Sequence, residues 1–167
     1  MKNLISFLIL AALLVSCQQK AKVTPVDLNA EKASIIQLMD KQIAALKARD
    51  AKTELSFLTD DAILLGTDPK EFWNKAQTTE MINQMLADTT LKVDLTPERR
   101  EIYVSPDGNS AIVVDQMFVG FISTKVQVRR ITQLIKTNGS WMINFDSSSM
   151  IPKNEDLPAI NKALEGK

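Results

Sequence analysis

Asn138-Gly139, set between two long runs of alternating apolar and polar residues, commits the C-terminal half of this chain to antiparallel sheet. A type I′ turn needs positive φ at both central residues, and Asn-Gly adopts that backbone at little cost. The flanking runs, Val126 to Thr137 and Trp141 to Ser149, are therefore read as a hairpin. Upstream, Ser105-Pro106-Asp107-Gly108-Asn109 is a second turn, in which Pro fixes φ and Gly supplies the left-handed position. Strands are predicted on either side of it, Ile102 to Val104 and Ser110 to Ile122, with Ser123-Thr124 turning the chain into the hairpin. Leu91, Val93 and Leu95 alternate as in a further strand, which Pro97 is expected to break.

The N-terminal half carries a helical period instead. Asn29 reads as an N-cap with Glu31 in the first turn, and Ile35, Met39, Ile43 and Leu46 then repeat along one face. Asp50 reads as a second N-cap, before a short helix over Glu54 to Leu58. Ala62 to Leu65 is a brief apolar strand, stopped by Gly66 and Asp68-Pro69. A third helix is predicted to start at Gln77 or Thr78, with Ile82, Met85 and Leu86 on one face. Leu157 to Leu164 forms a final short helix. Helices first and a long antiparallel meander after give an α+β fold, with helices segregated to one face of a curved sheet.

Ahead of the domain, Lys2 and the apolar run Leu4 to Val15 lead into Leu14-Val15-Ser16-Cys17, which holds the only cysteine. The run is too short to span a bilayer comfortably. Its end resembles the lipobox of bacterial lipoproteins, in which the cysteine is lipidated and becomes the new N-terminus. The expected organisation is a lipoprotein signal peptide over 1–16, the lipidated Cys17 and its tether over 17–28, a domain over 29–150, and a C-terminal tail or short helix over 151–167. The expected location is the bacterial cell envelope, on the periplasmic or outer-surface side of a membrane, with the lipid on Cys17 as the membrane contact.

Composition removes several function classes. Without Met1 to Ser16, 151 of the 167 residues remain, enough for one domain with its own core. With Cys17 committed to lipid, no internal disulfide can form. Lys and Arg together number 20, as do Asp and Glu, and no basic cluster occurs, which argues against a nucleic-acid partner. There is no histidine, so Ser-His-Asp and Cys-His mechanisms are excluded, and the commonest metal ligand is missing. No cofactor and no metal site are expected.

The chain resembles the SnoaL-like members of the nuclear transport factor 2-like superfamily over roughly residues 29–149. The resemblance rests on the helix-helix-strand-helix-sheet order, on Gly66-Thr67-Asp68-Pro69-Lys70-Glu71-Phe72-Trp73, and on Asn138-Gly139-Ser140-Trp141-Met142-Ile143. It implies a cone-shaped curved antiparallel β-sheet with N-terminal helices packed on its concave face. It further implies an apolar pocket inside the cone and a homodimer through the outer sheet face. Such domains include isomerases, cyclases, dehydratases and many ligand binders, and catalytic members usually carry a His, Asp or Tyr in the cavity. The missing histidine, and a Tyr103 that turn counting points at the outer face, argue against catalysis.

Register follows from the turns. Asn138-Gly139 sets Thr132 opposite Phe145 and Arg130 opposite Ser147, and a two-residue turn at Ser123-Thr124 sets Asp115 opposite Thr132 and Met117 opposite Arg130. One face then collects Val113, Asp115, Met117 and Val119, with Val128, Arg130, Thr132 and Leu134, and Trp141, Ile143, Phe145 and Ser147. This is the expected pocket lining. Asp115 and Arg130 have three readings: a satisfied structural ion pair, a polar anchor for a small ligand, or a general base at Asp115 in an isomerase or dehydratase. Trp73 is either an aromatic wall for a ligand or a core residue pinning its loop. The ligand-binding set is therefore Trp73, Asp115, Met117, Arg130, Thr132 and Phe145. The alternative to a pocket is an interaction protein whose cone is closed by Trp73, Phe145 and Met117. The opposite face, with Gln116, Phe118, Arg129 and Ile131, is mixed enough for a dimer interface.

Overall fold

The computed structural model describes residues 25–166, so the apolar leader and Cys17 lie outside the described residues. The first helix, α1 (Leu28–Lys47), starts two residues earlier than an N-cap at Asn29 suggests. Its N-cap is Asp27, whose carboxylate accepts from the backbone N–H of Asn29 at 3.0 Å and of Ala30 at 3.1 Å. Its buried stripe is Ile35, Met39, Gln42, Ile43 and Leu46. Arg49 follows with φ of 58°, the left-handed turn that lets α2 (Ala51–Ser56) fold back under its N-cap Asp50.

The short helix therefore ends at Ser56, and Leu58 already belongs to β1 (Leu58–Leu65), a longer strand than Ala62 to Leu65. β1 is drawn out because it pairs parallel with the last strand, from Leu58 opposite Ile143 to Leu65 opposite Ser147. A tight loop leads to β2 (Phe72–Trp73), with Trp73 opposite Leu64. The next helix, α3 (Lys75–Ala87), begins at a capping box between Asn74 and Gln77, ahead of its apolar period.

The remaining strands are β3 (Leu95–Val104), β4 (Ser110–Val119), β5 (Ser123–Thr137) and β6 (Ser140–Ile151). Pro97 does not break β3. The strand lies at the edge of the sheet, and the pairing skips from Pro97–Met117 to Arg99–Gln116, so the proline sits beside a bulge where a missing N–H is tolerated. Asn138 and Gly139 take φ of 52° and 79°, as the hairpin requires. The six strands run in the order β2-β1-β6-β5-β4-β3, a curved, unclosed sheet. A 3-10 turn (Asn154–Asp156) and α4 (Leu157–Leu164) close the chain.

The helices cover the concave face in two patches. Ile35 and Met39 of α1 pack with Val113, Leu134, Trp141 and Ile143 of the sheet. Ile43 and Leu46 pack with Ile82 and Leu86 of α3 over Met117, Val119 and Val128. Among the described residues, no helix is long and apolar enough to cross a membrane.

Candidate functional site

Two connected hollows lie between the helices and the concave sheet. The outer one, about 640 Å³, opens beside the loop after β1 and is walled by Leu64, Gly66, Trp73, Met81, Met85 and Phe121. The inner one, about 130 Å³, shares Leu64, Met85, Phe121, Ile122 and Ser148 with it, so the two form one path into the domain. The inner walls are apolar, with Leu46, Ile82, Leu95, Met117 and Val128. Its polar lining comes from Gln42, Glu54, Arg130 and Ser148.

That polar end is built from four elements. Gln42 interrupts the apolar stripe of α1 and is only 2% exposed. Its amide Nε2 donates to Oε1 of Glu54 on α2, itself 4% exposed, at 2.8 Å. Oε2 of Glu54 and Oε1 of Gln42 have no hydrogen-bond partner among the described residues. Burial pushes the Glu54 carboxyl up to about 7, with Arg130 and the Gln42 amide pulling it back and Asp146 pushing it further. Glu54 is therefore a largely neutral acid below neutral pH.

Arg130 on β5 donates its Nε–H to Oδ2 of Asp146 on β6 at 2.7 Å. Thr132 donates its hydroxyl to the same oxygen at 2.7 Å. Burial works against the Arg130 charge, but the Asp146 and Glu54 carboxylates outweigh it and hold its pKa above the usual value. On the far side of β4, Arg100 of β3 grips Asp115 of β4 with Nε on Oδ1 at 2.7 Å and Nη2 on Oδ2 at 3.0 Å. Its Nη1 reaches Asp40 of α1 at 2.8 Å.

The sequence-derived lining is partly redrawn by these contacts. Trp73 lines the outer hollow, and Met117 and Arg130 line the inner one. Asp115 lies opposite Arg130 in the pairing, two residues from the expected register, because the β4–β5 connection includes Gly120 to Ile122 and a bulge after Met117. The two side chains are not bonded to each other: each has a different partner. Thr132 is buried behind the wall as a donor to Asp146. Phe145 leaves the inner face. A bulge at Asn144 sets Gln133 opposite Phe145 and Thr132 opposite Asp146, so Asp146 takes the inward position expected for Phe145. Tyr103 is exposed on the outer face, as turn counting predicts.

Glu54, Gln42, Asp146 and Arg100 escaped the sequence reading. Gln42 alone had a visible signal, a polar residue inside the stripe Ile35-Met39-Gln42-Ile43-Leu46. Among the described residues, no group of three or more acidic, Cys or His side chains is arranged to hold a metal ion.

Comparison with known proteins agrees with this architecture. A profile of the SnoaL-like domain matches residues 35–153. An NTF2-like protein of unknown function from Pseudomonas putida KT2440 superposes with a TM-score of 0.64 at 15% identity, covering 76% of this chain and 91% of that one. An NTF2-like protein from Cytophaga hutchinsonii ATCC 33406 gives a TM-score of 0.59 at 14% identity, covering 72% and 98%. A putative calcium/calmodulin dependent protein kinase II association domain from Xanthomonas campestris gives 0.58 at 22% identity, covering 71% and 86%. At these identities the likeness extends to the fold. No curated protein matches the sequence.

Proposed function

The chain belongs to the SnoaL-like domain family, and on that premise we propose that it binds a small, mainly apolar molecule inside the cone while tethered to a membrane by lipid on Cys17. The observation that carries this reading is the apolar path from Trp73 to the buried Gln42–Glu54–Arg130 end. Ligand sites of this kind are largely apolar, with a few placed polar groups that fix orientation, and occupy roughly 300–1,000 Å³. The outer hollow is within that range. Trp73 supplies the aromatic wall and Arg130 the polar anchor.

The Asp115-dependent enzyme has less in its favour. Asp115 is 1% exposed, and Arg100 bonds both of its carboxylate oxygens, which commits the acid to a buried ion pair rather than to a substrate proton. A homodimer through the outer face is supported by the exposed Tyr103, Ile112, Phe118 and Ile131.

Crystals of residues 21–167, purified without refolding, test the pocket. Density for a carried-through molecule between Trp73 and Arg130 is the expected result. Hollows closed by the side chains of Trp73, Met85 and Phe121 overturn the reading and leave the interaction-protein alternative.

A further inference from the structure

Charge bookkeeping at the inner end narrows what the polar anchor can hold. Arg130 is already neutralised by Asp146 at 2.7 Å, and Asp115 by Arg100. Asp40, the third carboxylate in this group, is mostly exposed and also bonds Arg100. On the α3 side, Lys75 gives its Nζ protons to the carbonyls of Leu55 at 3.0 Å and Leu58 at 2.9 Å. Glu54 aside, the buried acids and arginines therefore cancel in pairs, while the half-buried Lys75 stands away from the hollow against neutral carbonyls. An incoming carboxylate or phosphate would bring an unmatched negative charge between apolar walls, beside Glu54 and Asp146, which burial strongly disfavours.

The hydrogen-bonding capacity left over has the opposite character. Glu54 uses Oε1 to accept from Gln42, while Oε2 meets no partner among the described residues. A buried carboxyl oxygen with no donor facing it is where the proton of the neutral acid resides. Arg130 uses Nε for Asp146, which leaves its Nη nitrogens as donors in the same hollow. Gln42 Oε1 adds one unpartnered acceptor.

We propose that the inner hollow selects an uncharged oxygen, a hydroxyl or carbonyl at the end of an apolar molecule, and rejects the corresponding carboxylate. The oxygen accepts from Glu54 Oε2–H and from the Arg130 guanidinium, and a hydroxyl in addition donates to Gln42 Oε1. The inference rests on the pocket reading above and adds a pH dependence to it. Ionised Glu54 has no proton to donate and repels the ligand oxygen, so binding weakens as Glu54 ionises.

The test uses residues 17–167 carrying C17S, which keeps every described residue, with four probes that differ only at one end: octane, 1-octanol, 2-octanone and octanoate. Calorimetry and intrinsic fluorescence, to which Trp73 and Trp141 both contribute, are read at pH 6 and pH 8.5. The expected result is that octanol and octanone bind at least tenfold tighter than octanoate and octane at pH 6. Their affinity then falls about tenfold at pH 8.5, where a donor with a pKa of about 7 is mostly ionised. E54Q, checked for folding by circular dichroism, abolishes the fall, because its amide keeps a donor at every pH. Octanoate binding as tightly as octanol at pH 6, octane matching octanol, or a pH-independent octanol affinity overturns the inference and leaves the pocket standing. Failure of all four probes overturns the pocket itself.

Discussion

Arg100 holds Asp115 with two nitrogens, one on each carboxylate oxygen, although Asp115 lies equally opposite Arg130 on its other side. The choice is geometric. Arg130 is drawn from β5 to Asp146 on β6, so the two arginines divide the two buried acids between them. Breaking a buried pair leaves a charge without a partner, while removing both halves does not. D115A is therefore expected to destabilise the fold by about 3 kcal/mol or more. The double variant R100M/D115L is expected to be more stable than D115A alone. Urea unfolding of the three proteins checks this, and equal losses in D115A and the double variant would refute it.

Glu54 makes the fold itself pH-sensitive, in a direction that can be worked out. In the unfolded chain it titrates near 4.5, and in the folded domain burial moves it to about 7. Below about pH 4.5 it is protonated in both states and folding is unpenalised. As the pH rises from about 4.5 through about 7, the unfolded chain ionises while the folded one resists, so stability is lost across that window and the loss is complete above it. The loss is on the order of 3 kcal/mol when complete. The carboxyls held low, such as Glu31 beside Lys136, act at the acidic end and leave this window untouched. Melting curves from pH 5 to pH 8.5 should fall for the wild type and stay flatter for E54Q.

Arg49 is a stabilising residue with no sequence signature. Its Nη1 donates to the carbonyls of Leu86 at 3.0 Å and Asp88 at 2.7 Å, and its Nη2 to Leu91 at 2.6 Å. These contacts satisfy the end of α3 and tie it to the end of α1. R49A is expected to cost about 2 kcal/mol, from three charged hydrogen bonds of which water recovers part. R49G, which relieves the left-handed backbone at φ of 58°, should recover a fraction of that. Thermal melts of the two variants rank them. R49A at wild-type stability would show that water replaces the contacts fully.

What the sequence made legible was set by local chemistry. Asn138-Gly139 announced its turn, Asp50 its cap, and the parity of β4 and β5 placed Asp115, Met117, Arg130 and Thr132 on the buried face. Parity survives an error of two residues in register, which is why that face was read correctly although the pairing was not. It does not survive an odd insertion, and the bulge at Asn144 exchanged Phe145 for Asp146. Glu54 sits in a six-residue helix, too short to display a period, and its burial comes from Gln42, twelve residues away, and from the sheet. The outer architecture was written in neighbours; the polar end of the hollow was assembled by tertiary contacts.

Lipidation at Cys17 gives a prediction independent of the cone. If the cysteine carries acyl chains, each buried methylene adds about 0.8 kcal/mol of membrane affinity, and the domain partitions with membranes. C17S is then expected to abolish incorporation of labelled fatty acid and to prevent release of the leader. A labelled C17S protein would rule lipidation at this residue out.

The loop at the mouth of the outer hollow offers the last test. Gly66 donates its N–H to the Glu71 carbonyl at 3.0 Å, and the Glu71 carboxylate in turn accepts from the backbone N–H of Asp68 at 2.9 Å. A Cβ on residue 66 would overlap the Glu71 side chain, so the space is open only to glycine. G66A must therefore expel the Glu71 carboxylate and break its bond to Asp68. Because the displaced group is flexible and the loop partly exposed, the cost to global stability should stay near 1 kcal/mol. The larger effect falls on the wall, since Trp73 follows this loop and pairs only at the short β2 edge. G66A is expected to shift the tryptophan fluorescence through Trp73, with Trp141 in the core unmoved, and to weaken octanol binding several-fold while unfolding near the wild-type midpoint. Unchanged binding in G66A would show that the loop does not shape the mouth.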